Sequence, residues 1–452
     1  MLATAKRNRT EYHLHRVTKW LAQNKAERVA TVLNALHPSE IALVLESLQR
    51  AEREIAWHLI DTSLRGTVLV ELNDEVRSGL IEATTTEELV DAAETLETDD
   101  LADLVEGLSE ETLEQVLNSM DNQDRQRLES VLCYDEDTAG GLMNVDTLTV
   151  RPDVSLDAVL RYLRLRGAIP DLTDSLMVVD RSDHFLGLLP LSILLTNDVK
   201  TKVIDLMIQD VSMIPVTMPD REVAILFEKH DLISAPVVDN GGRLLGRVTI
   251  DDVVDVIRHE AGHSLMSMAG LDEDQDMFAP VRLSARRRAV WLGINLLTAV
   301  LASWVIGLFQ PTIEKMVALA VLMPIVASMG GIAGTQTLTL VTRGLALGQI
   351  GRTNARLVVS KELAVGALNG IAWSLVIGLI AGIWFGNVLL GGLIGGAIII
   401  NLIAAALAGA SIPLVLNSLG VDPALAGGVI LTTVTDVVGF FAFLGLASLY
   451  IP

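Results

Sequence analysis

The chain has 452 residues, half of them hydrophobic, and carries 56 acidic against 34 basic residues for a formal net charge of −22. So acidic a chain is unsuited to nucleic acid, whose binding needs phosphates neutralised by Lys and Arg; it suits cation binding or plain solubility. The single cysteine, Cys133, excludes an internal disulfide and a cysteine-based zinc site. The charge is also unevenly placed. Residues 289–452 hold five basic and four acidic residues, a net +1, which leaves −23 for residues 1–288. An acidic soluble half is joined to a nearly neutral apolar half.

The opening MLATAKRNRTEYHLHRV has no apolar core, so no cleavable signal peptide is expected and the soluble half should stay in the cytoplasm. Residues up to about Tyr134 read as helices, because Leu, Ile and Val recur at three- and four-residue spacing in VATVLNALHPSEIALVLESL and DDLADLVEGLSEETLEQVLNSM. Short amphipathic helices with acidic outer faces predict a small all-α superhelix. Asp99, Asp100 and Asp103 cluster at the start of one helix, where they could ligate a cation or simply cap the helix and meet its dipole.

An internal repeat follows. MVVDRSDHFLGLLPLSILLT, from Met177, aligns without a gap to PVVDNGGRLLGRVTIDDVVD, from Pro236, at an offset of 59 residues. Upstream, Arg151-Pro152-Asp153 matches Met218-Pro219-Asp220 at an offset of 67, so the first copy carries eight extra residues. Each copy reads helix, strand, turn, strand, helix, with turns at Arg181-Ser182-Asp183 and Asn240-Gly241-Gly242. With Gly187 and Gly246 in the second strands, the pattern from Leu142 to Ile257 resembles a tandem pair of CBS (cystathionine-β-synthase-type) domains. Such domains often bind adenine nucleotides through a Thr followed three residues later by Asp. Thr249 and Asp252 match; the first copy has Pro190 and Ile193 instead, so the resemblance implies one ATP-type site at most.

The helix closing the second copy places Asp252 and Asp255 on one face, with Glu260 further along. Those carboxylates await a cation or form a solvated face. An amphipathic connecting helix and an acidic link with Pro280 then lead to Arg286-Arg287-Arg288, which marks the cytoplasmic side of the first span. Five spans are predicted, at about 289–309, 316–342, 358–385, 390–416 and 424–450, each long enough to cross a bilayer. Arg343, Arg352, Arg356 and Lys361 keep the loop between spans two and three inside. The N-terminus is then inside and the C-terminus outside.

Between Leu363 and Pro452 only Asp422 and Asp436 are charged. An intramembrane carboxylate usually faces an aqueous path or a partner. Thr432, Thr433 and Thr435 stand beside Asp436, supplying the oxygen ligands that Mg²⁺ and Ca²⁺ need. Span two carries Pro324, Gly330, Gly331 and Gly334, which either pack helices closely or break one to line a cavity.

Taken together, YDEDTAGGLM, HDLISAPVVDNGGRLLGRVTIDDVVDVI, the Gly-Gly-x-x-Gly-Thr-Gln phrase of span two and DPALA…TTVTD of span five resemble MgtE-type magnesium transporters along the whole chain. The resemblance implies a helical N-domain (1–135), two CBS domains (136–200 and 201–260), a connecting plug helix (261–285) and a five-helix pore domain (286–452). It implies a homodimer embedded in lipid of the plasma (inner) membrane, with hydrated Mg²⁺ held at Asp436 and Asp422. It further implies passive uptake driven by the membrane potential, shut when internal Mg²⁺ binds among Asp99, Asp100, Asp103, Asp231, Asp252, Asp255 and Glu260. The chain departs from the family pattern at His263 and Ser264, where an acidic pair is usual, and at Ile332, Ala406 and Val429. A broader channel for Co²⁺ and Ca²⁺, or an exporter, is the alternative. No P-loop and no nucleophile–base set is present, so no enzyme is expected.

Overall fold

The computed structural model describes residues 2–93, 96, 98–106, 108, 110–120, 122–170, 172–271, 275–351 and 353–450. The chain divides into two compact units, Met1–Ala261 with Asp274–Ala279, and Gly262–Glu273 with Pro280–Pro452.

The first unit begins with ten helices: α1 (Leu2–Leu21), α2 (Ala26–Leu33), α3 (Pro38–Glu46), α4 (Arg50–Trp57), α5 (Thr62–Val70), α6 (Asp74–Glu82), α7 (Thr86–Ala93), α8 (Thr98–Glu106), α9 (Glu110–Ser119) and α10 (Asn122–Val131). After α1 they are only two to three turns long, too short to stand alone in water. Their apolar stripes therefore meet in one core around Leu33, Ile41, Leu45, Trp57, Leu69 and Leu104. Pro38 at the first turn and the reciprocal His37–Glu40 cap start α3, and Asn73 Oδ1 caps α6 by accepting from Val76 N.

The repeat folds as expected. Strands β1 (Thr149–Val150), β2 (Ser175–Val179) and β3 (Phe185–Pro190) form one sheet, with α11 (Leu156–Arg166) and α12 (Leu191–Thr196). Strands β4 (Ile214–Pro215), β5 (Ser234–Val238) and β6 (Leu244–Thr249) form the other, with α13 (Asp220–His230) and α14 (Ile250–Ser267). In each, the first strand is parallel to the second and the third antiparallel to it, and the register slips at the same place, Val178/Val179 and Val237/Val238. The glycines shared by the copies have a packing cause. Ile208, ahead of the second copy, bridges to Leu188 beside Gly187, and Asn144, ahead of the first, bridges to Arg247 beside Gly246. A Cβ on Gly246 would lie 2.8 Å from Asn144 O, too close for a side chain. Each copy thus lends a strand residue to the other. Five of the first copy's extra residues fall between α11 and β2, where it spends eight residues (167–174) and the second copy needs only three, from Asp231 to Ile233.

Among the described residues, five helices of the second unit are long and apolar enough to cross a membrane: α15 (Val281–Gly307), α17 (Ala318–Ala346), α18 (Ala355–Trp384), α19 (Val388–Ser418) and α20 (Pro423–Tyr450). The short α16 (Gln310–Lys315) joins the first two. The protein is multi-pass. Helix α19 is the most buried and packs on α17, α18 and α20, while α15 lies against α20. Small residues allow this. A Cβ on Gly378 of α18 would come within 2.9 Å of Gly391 O on α19, and one on Gly366 within 2.6 Å of Ala406 Cβ.

One expectation changes and one open alternative is decided. Among the described residues no separate connecting helix occupies 261–285; α14 runs on from the second repeat and ends at Ser267, and Val281 onward belongs to the first span. The stop is local. Gly270 takes φ +67°, and Leu271 N closes onto Met266 O at 3.0 Å, a left-handed ending open mainly to glycine. The helix of span two is unbroken despite Pro324 and its glycines, with Asn401 of α19 packed beside Gly330 and Leu431 of α20 beside Gly334.

Candidate cation pathway and regulatory carboxylates

Helix α17 carries polar side chains on a face that its own unit leaves open. Ser328, Thr335, Gln336 and Thr339 are exposed, with Thr335 two turns from Ser328 and Thr339 one turn further along a mostly apolar helix. With Gly331, Ile332 and Thr432 of α20, the first three of them line a groove of about 420 Å³. A second depression of about 550 Å³ continues it from Thr335 and Gln336 to Arg343 and Gln349. Asp436 stands one turn beyond Thr432 on α20, hence on the same face. It is half-buried, and among the described residues no hydrogen-bond partner reaches it.

The threonines separate. Thr432 is exposed and its Oγ1 donates to Gly428 O and Val429 O at 3.1 Å, which leaves its lone pairs outward. Thr433 is half-buried and donates to Val429 O at 2.7 Å. Thr435, expected to line the pathway, is fully buried and donates to Thr432 O. Helical phase explains this, since Thr435 continues the buried row Gly427, Leu431, Gly439 rather than the row of Thr432 and Asp436. The glycines separate likewise. Gly331 borders the groove, but a Cβ on Gly334 would strike Leu431 at 2.8 Å and one on Gly330 would strike Asn401. Asp422 is occupied at both oxygens. Its Oδ1 accepts from Ala424 N at 2.8 Å, capping α20, and its Oδ2 lies 3.0 Å from His263 Nε2.

Among the described residues of the first unit no three His, Cys, Asp or Glu side chains gather to hold a metal. The side chains of Asp99 and Asp103 lie outside the described residues; Asp100 is half-buried and has a partner. Asp231 is exposed and ends α13 in the left-handed conformation, φ 50°. Thr249 hydrogen-bonds Asp252 at 3.0 Å and also meets Asp251, so both residues of the nucleotide signature are engaged at the start of α14. Asp255 pairs loosely with Arg258 at 3.6 Å, and Glu260 tightly with Arg221 at 2.5 Å.

Other acids come together instead. Burial raises the Glu71 carboxyl above the usual glutamate range, the nearby Asp255 charge raises it further, and His37 and Arg258 oppose this. Burial likewise raises Glu46, against hydrogen bonds from Asn73. Burial first and Asp137 second raise Asp220, offset by a bond from Arg221 N. Helical spacing alone could not find these pairs, because they join α3 and the end of α5 to α14. Two further residues escaped the sequence reading. Glu362 of α18 is 7% exposed and accepts from Thr337 Oγ1 of α17 at 3.2 Å. Asn401 of α19 is fully buried between α17 and α20. A lone polar residue in an apolar run was the available signal.

Family models for a divalent cation transporter (residues 323–446), an MgtE intracellular N domain (36–137) and a CBS domain (203–259) match the chain. The magnesium transporter MgtE of Thermus thermophilus is 31% identical over 445 residues, covering 95% of this chain and 96% of its own. The MgtE of Bacillus subtilis is 29% identical over 335 residues, 74% of each chain. Among solved structures, the cytosolic domain of the Mg²⁺ channel MgtE in complex with ATP superimposes with a TM-score of 0.50 at 29% identity, covering 54% of this chain and 99% of that one.

Proposed function

The chain belongs to the MgtE family of magnesium transporters, and from that premise we propose that it carries Mg²⁺ across the membrane along the groove of α17 and α20, past Asp436. One observation carries this reading: membrane helices expose hydroxyls, an amide and an unpartnered carboxylate on one continuous face. Lipid cannot satisfy such groups, so the face meets water or a second copy of the chain. Two copies related by a two-fold axis would bring two Asp436 carboxylates to one path. Mg²⁺ sheds its water reluctantly and usually keeps several waters, so two carboxylates and the Thr432 oxygens suit a hydrated ion. Moving its two charges down 100 mV releases about 4.6 kcal/mol, enough to drive uptake without a motor. The positive residues at Arg286-Arg287-Arg288 and in the α17–α18 loop support an N-terminus inside and a C-terminus outside.

Control by internal Mg²⁺ is the second part of the proposal. The Asp255 and Glu46 charges both raise the Glu71 carboxyl, so a divalent cation bound beside that carboxylate would relieve their repulsion. An adenine nucleotide would use Thr249 and Asp252, whose present bonds to each other it would have to replace. The exposed Ile332 in the groove, where the family pattern has Asn, favours the broader-selectivity alternative over strict Mg²⁺ selection.

Uptake of Mg²⁺, Co²⁺ and Ca²⁺ into vesicles bearing the full-length protein tests the pathway. Asp436→Ala should abolish all three; undiminished Mg²⁺ flux in that variant would sink the assignment.

A further inference from the structure

Asn401 has no atom on the groove, yet it joins the two helices that form it. Its side chain is 0% exposed. Nδ2 donates to Val326 O of α17 at 2.9 Å. A Cβ built on Gly330 of α17 would come within 2.8 Å of its Cγ, and one on Gly439 of α20 within 2.7 Å of Nδ2 and 3.0 Å of Cγ. Those approaches are too close for real side chains, so the amide fills a notch that both glycines leave open. Gly439 lies one turn from Asp436, and Gly330 adjoins Gly331 of the groove. The amide sits where α17, α19 and α20 meet, behind the pathway.

The other half of the amide is unusual. Asn401 Oδ1 is buried and has no hydrogen-bond partner among the described residues. A buried acceptor left unmade costs stability, and a leucine of similar size would avoid that cost. Apolar contact, however, tolerates sliding, whereas one directional N–H···O bond between helices sets their register.

We propose that Asn401 is a positioning residue for ion selection: its amide bonds α19 to Val326 O of α17 and seats Gly439 of α20, and so sets how far Thr335 and Gln336 stand from Thr432 and Asp436. The proposal rests on the reading of the groove as the cation pathway. Mg²⁺ demands near-ideal octahedral geometry, while Ca²⁺ accepts longer and more numerous contacts. Spacing between the two faces therefore decides between them, as the supporting groups behind a metal's ligands do elsewhere.

Full-length protein in vesicles, assayed for Mg²⁺ and Ca²⁺ flux with the amount of folded protein matched, provides the test. Asn401→Leu should lower the Mg²⁺:Ca²⁺ flux ratio by about tenfold, the scale on which supporting groups act at metal sites. Gly439→Ala, which presses on the same amide from α20, should shift the ratio in the same direction. A residue needed only for folding would reduce the folded amount and leave the ratio of the remainder unchanged. Should Asn401→Leu fail to insert, Asn401→Ser and Gly439→Ala decide by the same ratio. An unchanged ratio in the folded variants overturns the proposal. Persistent flux in Asp436→Asn would instead overturn the pathway reading, so the two failures are distinguishable.

Discussion

His263 Nε2 lies 3.0 Å from Asp422 Oδ2, tying the last turns of α14 to the residue that caps α20. Ser267, one turn on, lies 3.4 Å from the same nitrogen. Where the family pattern has an acidic pair, this chain has an imidazole, which meets Asp422 directly. With both partners about a third exposed, the bond contributes at most about 1 kcal/mol.

That geometry makes the tether independent of metal. His263→Ala should speed proteolysis between residues 268 and 280 by up to about fivefold, the equivalent of 1 kcal/mol. His263→Glu should restore protection only when millimolar Mg²⁺ is added, because two facing carboxylates repel until a cation joins them. Equal cleavage of parent and His263→Ala would show that the bond holds nothing.

Arg53 and Asp276 form a buried, two-pronged ion pair in the first unit. The guanidinium meets both carboxylate oxygens at 2.8 and 3.0 Å and also donates to Leu45 O and Leu48 O at 2.9 Å, with both residues under 9% exposed. Removing one partner strands a buried charge, so Arg53→Met should cost about 3–5 kcal/mol. Arg53→Met with Asp276→Leu should recover much of that. Thermal unfolding followed at the buried Trp57 reads both; a double variant no more stable than the single would contradict the argument.

Glu46 and Glu71 carry carboxyls raised by burial. A raised folded value means that the native state holds its proton more tightly than the unfolded chain. Stability from protonation is therefore complete below the ordinary glutamate value and is lost as pH rises through the raised one. Without Mg²⁺, the first unit should weaken from pH 4 toward neutrality by this contribution, and Mg²⁺ at pH 7 should restore it. Glu71→Gln should flatten both responses in denaturation curves. A pH slope unaltered by Glu71→Gln would remove Glu71 from the regulatory set.

Gly378 and Gly391 let α18 and α19 touch backbone to backbone. Gly378→Val should overpack that contact, at a cost of about 1–3 kcal/mol, and lower the melting temperature of the detergent-solubilised protein. An unchanged melting temperature would mean that the helices part without loss.

Much of the architecture was legible beforehand. The repeat declared itself because strand alternation, turn residues and a glycine recur at one offset, and the structure repeats even the slip after Val178 and Val237. The spans were legible because length and apolarity alone decide them. Within the spans legibility ended. Almost every position is apolar, so no stripe shows which side of a helix faces its neighbours. Thr432 and Thr435 looked alike on paper; one lines the groove and the other is buried.

By itself, then, the sequence determined that an acidic helical and tandem-repeat half precedes five membrane helices, one bearing Asp436, because periodicity, charge and apolar length are local properties. Only the tertiary structure decided that the Thr432 face of α20 borders the groove while Thr435 packs inward. It alone placed Asn401 behind that groove, joined Arg53 to Asp276, and bonded His263 to Asp422. Each of those depends on helix rotation and on contacts between residues distant in the chain, which no local pattern encodes.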